Sequence, residues 1–145
     1  MLHYIDICLI PKSRRLILAG QDPNPLPYGA LQYYQIHYLI ESVNITNPSA
    51  YMAKCRAKAK GHNEEKRITE IEWIGGRLAE RLTSDKELTE MLKSVMLNEG
   101  EISIDPQKDR VRVYTKWKRE DKLEFDPEFF QVVERIARTI KKLES

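Results

Sequence analysis

NEEKRITEIEWIGGRLAERLTSDKELTEMLKSVMLNEG, residues 63 to 100, is the stretch from which the fold is read. Ile68, Ile71, Trp73, Ile74, Leu78 and Leu82 recur at steps of three and four, which predicts an amphipathic helix with Glu, Arg and Lys opposite. Gly75 and Gly76 fall in its middle and each costs about 1 kcal/mol relative to Ala. They imply another element packed closely on the bare backbone, or a kink; a ligand approaching the backbone is the functional alternative, with no Gly-rich phosphate pattern beside it. Ser84 and Glu87 have the spacing of a capping box and start a second helix. Leu88, Met91, Leu92, Val95 and Met96 carry its apolar side, and Gly100 is its left-handed terminator. The two helices should share one hydrophobic layer.

Beyond Gly100 the period changes from helical to alternating. Residues 101–105 and 110–118 read as a β-hairpin. A turn over Pro106–Asp109 places Ile104 opposite Val111 and Ile102 opposite Val113, with Trp117 further along the same inward face. The outward face then holds Glu101, Ser103 and Asp105 on one strand and Arg110, Arg112, Tyr114, Lys116 and Lys118 on the other. Lys122 to Phe125 can add a short edge strand. Asp126-Pro127-Glu128 opens a closing helix: Asp caps, Pro takes the first helical position and Glu suits the dipole. Phe129, Val133, Ile136, Ile140 and Leu143 form its apolar stripe, expected to dock on the chain's own sheet.

On the N-terminal side, Tyr4 to Ile10 and Arg15 to Ala19 read as two strands of a hairpin. Gln21 to Pro27 carries three prolines and serves as a connector. Tyr28 to Val43 fits a helix and a strand almost equally, with its length favouring the helix. Ala50 to Lys60 is rich in helix formers and predicts an exposed basic helix. The class is therefore α+β, one domain over 1–145: a small antiparallel sheet from N-terminal and C-terminal hairpins packed against amphipathic helices.

Composition limits what such a domain can do. A net charge of +2 from 24 basic and 22 acidic residues gives no global attraction to nucleic acid or membrane, so any basic patch is local. No stretch approaches the roughly 20 apolar residues of a membrane span, and no charged leader precedes an apolar run. A cytoplasmic location and no membrane partner are expected. Cys8, Cys55 and three scattered histidines have no metal-like spacing. No G-x-S-x-G, P-loop or H-E-x-x-H is present, which argues against an enzyme and implies no cofactor.

Three functional readings follow. The first is a small non-enzymatic interaction module acting through protein contacts or self-association, since the helices carry more apolar stripe than the chain needs. The second is RNA or single-stranded DNA binding. Arg112, Tyr114, Lys116, Lys118 and Arg119 align cations around an aromatic ring, and Lys54, Arg56, Lys58 and Lys60 add a second basic segment. Cations neutralise phosphates and a free ring stacks on a base; cross-strand pairing to Asp105 and Glu101 is the bland account of half that stripe. The third is a metal-dependent enzyme using carboxylates such as Glu70, Glu72, Asp105 and Asp109. Cys55, between cations, is a further candidate for a lowered thiol pKa, with an inert thiol as the simpler reading.

Overall fold

The computed structural model of the chain describes residues 5–12 and 32–143. The expected strand Arg15–Ala19 and the connector Gln21–Pro27 lie outside the described residues. Among these residues the fold is α+β, an antiparallel sheet of seven strands with helices on one face. The strands are β1 (Ile5–Pro11), β2 (Tyr33–Ile40), β3 (Ala53–Lys60), β4 (Arg67–Gly75), β5 (Ile102–Gln107), β6 (Arg110–Tyr114) and β7 (Lys118–Arg119). The order across the sheet is β1-β2-β6-β5-β3-β4, with β7 continuing beside β2. The β5–β6 hairpin is therefore inserted between the β1–β2 and β3–β4 pairs.

Three elements change type from the sequence expectation. Residues 67–75 form β4 rather than helix, and a β-bulge accounts for the helical look of their apolar residues. Ala57 faces Ile71 and Ala59 faces Ile68, while Lys58 faces Glu70, so Thr69 is an extra residue. That insertion puts Ile68 and Ile71, three apart, on the same face. The expected helix over Ala50–Lys60 is β3, whose small residues Ala53 and Cys55 turn inward while Lys54 and Arg56 turn out. Alternation overrides propensity there. Tyr28–Val43 contains β2, with Tyr38 and Ile40 buried.

The remaining helices are α1 (Arg77–Thr83), α2 (Lys86–Glu99) and α3 (Pro127–Leu143). Ser84 and Asp85 connect the first two near the corner the sequence implies, but the cap of α2 is Asp85, whose Oδ1 accepts from the Leu88 N–H at 3.1 Å, and not Ser84. Gly75 and Gly76 lie at the β4–α1 junction. The close-packing account of them holds: a Cβ on Gly75 would collide with the Met52 carbonyl oxygen, and one on Gly76 with that of Ser49.

The C-terminal hairpin is present with its register displaced by two residues, since Ile104 faces Val113 and Asp105 faces Arg112. A displacement of two keeps every side chain on its expected face. Val111, Val113, Ile102 and Ile104 are accordingly buried, whereas Trp117 lies beyond β6 and is half-buried. The segment from Lys122 to Phe125 adds no strand; a 3-10 turn covers Glu120–Lys122. Phe129, Val133, Ile136, Ile140 and Leu143 of α3 join Tyr38, Val111 and Ile104 in one core, and Tyr38 and Phe129 rings lie 5.6 Å apart.

Candidate functional site

Among the described residues, helices cover one face of the sheet and leave the other open. Strand alternation places on that open face Lys54, Arg56, Lys58 and Lys60 of β3 and Arg112 and Tyr114 of β6. The two basic segments thus share a face, with β5 between them. Acids next to and on β5 neutralise much of that charge. Glu101 lies 3.4 Å from Lys54 and 4.0 Å from Arg56, and Lys58 is 3.5 Å from Glu70 on β4. Arg112 forks onto Asp105 at 2.9 and 3.0 Å.

Tyr114 is not the free ring that base stacking requires. Its ring stacks on His37 of β2 with centroids 4.8 Å apart, and the Arg112 guanidinium sits 4.9 Å from its centre. Its hydroxyl donates to Asp105 Oδ2 at 2.8 Å, and burial together with that bond pushes the phenol pKa up. Gln35 extends the network: its Nε2 donates to the Thr115 carbonyl at 2.7 Å, leaving Oε1 to accept from His37 Nε2 at 2.6 Å. The His37 proton therefore sits on Nε2. Burial first, and the Arg112 charge second, lower the His37 pKa from 6.5. His37, Arg112, Cys8, Ile10, Leu39 and Gln107 surround a shallow hollow of about 240 Å³. His37 was missed from sequence because it joins this face only if Tyr33–Ile40 is a strand.

Past β6 the expected outward row of Lys116 and Lys118 breaks. His37 faces Tyr114, yet Tyr33 faces Arg119 and Tyr34 faces Lys118, so the intervening segment holds one extra residue. That residue turns Lys118 to the helix-covered side, where its ammonium meets Glu99 at the end of α2 at 2.6 and 2.7 Å. Both side chains are largely enclosed, at 13% and 5% exposure. Arg119 pairs with Asp121 at 2.9 Å. Lys116, Lys118, Arg119 and Trp117 instead line a separate cleft of about 460 Å³ with Asn98, Lys122, Glu124 and Asp126.

Two places on the sheet stand out among the described residues. At the far end of the β3–β4 ribbon, Lys60 faces Arg67, and among the described residues no carboxylate lies within ion-pair distance of either. Like charges directly opposite destabilise a sheet. At the other margin, β1 lies at the end of the sheet order, and its Ile7 and Leu9 side chains are 47% and 50% exposed.

The carboxylates considered for a metal do not converge: Glu70 is on β4 with Lys58, Asp105 is bound to Arg112, and Asp109 is in the β5–β6 turn. Among the described residues no three His, Cys, Asp or Glu are placed to hold a metal ion. Cys55 is fully buried, its thiol 3.7 Å from Met96 Sδ, and burial pushes its pKa up to about 12. That is opposite to an activated thiolate. No helix among the described residues is long and apolar enough to cross a membrane.

What fold and surface define is a small α+β domain whose antiparallel sheet, among the described residues, is covered on one face and ends in β1 and β4. No family model, no curated protein and no solved structure matches the chain.

Proposed function

We propose that the chain is a non-enzymatic interaction module that engages a protein partner by adding an extended apolar segment to the outer edge of β1. The observation that carries this is the direction of the β1 backbone groups. The Lys12 N–H donates to the Tyr33 carbonyl at 3.0 Å, in the same register in which Cys8 faces His37. Antiparallel ladders bond alternate pairs, so Asp6, Cys8 and Ile10 spend their backbone groups on β2. Ile5, Ile7 and Leu9 then point both N–H and C=O away from the sheet, unpaired by any described strand. Exposed Ile7 and Leu9 side chains flank that row. Main-chain bonds plus alternate apolar contacts are the means by which sheet edges take up a peptide. The other margin, β4, is guarded by Glu70, Glu72 and its bulge.

A synthetic peptide with Ile at alternate positions, titrated against the full chain, tests this. Leu9→Pro removes an outward N–H without touching the β2 ladder, and binding should be lost. Equal binding by wild type and variant, or no binding by a wild-type chain that is monomeric at the concentration used, would refute the proposal.

The uncompensated Lys60 and Arg67 favour a second reading, contact with RNA or single-stranded DNA. β3 pairs with β5 over Ala53–Cys55 and no further, so Arg56 to Lys60 run on with β4 as a two-stranded ribbon bearing cations at its tip. Phosphate contacts there, with Lys58 and Arg56 behind them, would weaken steeply with salt. A gel-shift titration at two salt concentrations, with the Lys60→Glu, Arg67→Glu variant alongside, decides it: salt-insensitive or unaltered binding rules the ribbon out.

A further inference from the structure

We infer that the segment taken up on β1 is β1 of a second copy, the two strands pairing antiparallel about Cys8. This rests on the edge reading above and names its partner. β1 runs from Ile5 to Pro11, so Cys8 is its midpoint, and a two-fold axis there overlaps the whole strand. In that register Ile7 of each copy exchanges both backbone bonds with Leu9 of the other. The Ile5 N–H reaches the Pro11 carbonyl, and Pro11, which has no N–H to offer, needs none.

The side chains suit the same arrangement. Ile7 packs beside Leu9 of the second copy on the helix side, covering the two most exposed apolar residues of the strand. On the open side Asp6 meets Ile10, so no like charges are opposed. β4 fails this test: pairing about its midpoint, Ile71, sets Glu70 of one copy against Glu72 of the other. An axis on Ile7 instead leaves Ile10 and Pro11 overhanging.

The register has a chemical signature. Cys8 is exposed and free, and on the axis it faces its own counterpart as a non-hydrogen-bonded pair, with Cα atoms about 4.5 Å apart. That separation lies within the range a disulfide spans. Two Cys8 thiols then form one S–S bond, losing two protons and two electrons to an added oxidant such as diamide. Cys55, enclosed in the core, does not compete.

Light scattering of the full chain across a dilution series should give twice the chain mass at high concentration. Diamide should trap a covalent dimer that Cys8→Ser abolishes, and Leu9→Pro and Ile7→Lys should each shift the mass to monomer. Ile7→Lys retains every backbone bond and guards against a proline variant that fails to fold. A strict monomer that still binds the alternating peptide overturns self-pairing and leaves the edge reading standing. A dimer indifferent to both variants, or one without the Cys8 cross-link, places the contact elsewhere and overturns the inference. Monomer and no peptide binding sink both.

Discussion

Arg135 of α3 forks onto Asp85, the cap of α2, with Nε 2.7 Å from Oδ2 and Nη2 3.0 Å from Oδ1. The same carboxylate accepts from the Leu88 N–H, so one side chain both closes the α2 terminus and ties it to the closing helix. This joins two elements that the sequence presents as independent.

Asp85→Ala should therefore cost about 2 to 3 kcal/mol, a cap plus part of a charged bidentate contact. Asp85→Asn keeps the cap and should lose about half as much. Above all the Arg135 hydrogen bond holds the Asp85 carboxyl below its ordinary 3.8. A carboxyl depressed by folding gives stability that is complete above the ordinary value and disappears as pH falls through the lower folded value. Urea unfolding in acid should show a shallower pH slope in Arg135→Met than in wild type.

The Glu99–Lys118 pair makes a second, distinct prediction. Lys118→Met alone strands a carboxylate that is 5% exposed and should cost about 3 to 5 kcal/mol, whereas Glu99→Met with Lys118→Met should recover most of it. A double-mutant cycle by denaturant unfolding checks this. A Lys118 variant that unfolds no more easily than wild type would mean the ammonium is not committed to Glu99, and would return it to the pool of cations available to an anionic partner.

Gly76 offers a test of the β4–α1 junction. Its N–H donates to the Met52 carbonyl at 2.9 Å, and the Ser49 carbonyl occupies the place where a Cβ would be. Gly75 beside it has φ +151°, a conformation that side chains resist. Gly76→Ala should destabilise by about 3 kcal/mol, the upper range for overpacking, measured by thermal or urea unfolding. In a helix interior the same change would stabilise instead, so its sign separates the two assignments of residues 67–75.

What was legible in the sequence was parity and period in the C-terminal half. The faces of β5 and β6, the stripes of α2 and α3 and the Asp126-Pro127 start of α3 all follow from local spacing, and a two-residue register displacement cannot disturb a face. Bulges were illegible. The extra Thr69 gave Ile68 and Ile71 a helical interval, and the extra residue before β7 sent Lys118 inward, away from the row that Arg112 and Lys116 promised. Such insertions are settled by the partner strand, which local sequence does not contain. β3 was recoverable: Lys54, Arg56, Lys58 and Lys60 alternate strictly with Cys55, Ala57 and Ala59, and helix propensity masked it.

His37 gives the last prediction. Tyr114 stacks on its ring and Gln35 accepts from its Nε2, and burial first, then the Arg112 charge, lower its pKa. A histidine depressed by folding favours the native state fully above its ordinary 6.5 and penalises it as pH falls from there towards the folded value. The His37 ring resonances should accordingly titrate below 6.5 by NMR, and native stability should decline over that window. Arg112→Met removes the second cause but not burial, so the midpoint should rise part of the way and stay under 6.5. A midpoint at or above 6.5 in the wild-type chain would mean that the ring is solvated and that the stack with Tyr114 does not form in solution, leaving Tyr114 free for a base after all.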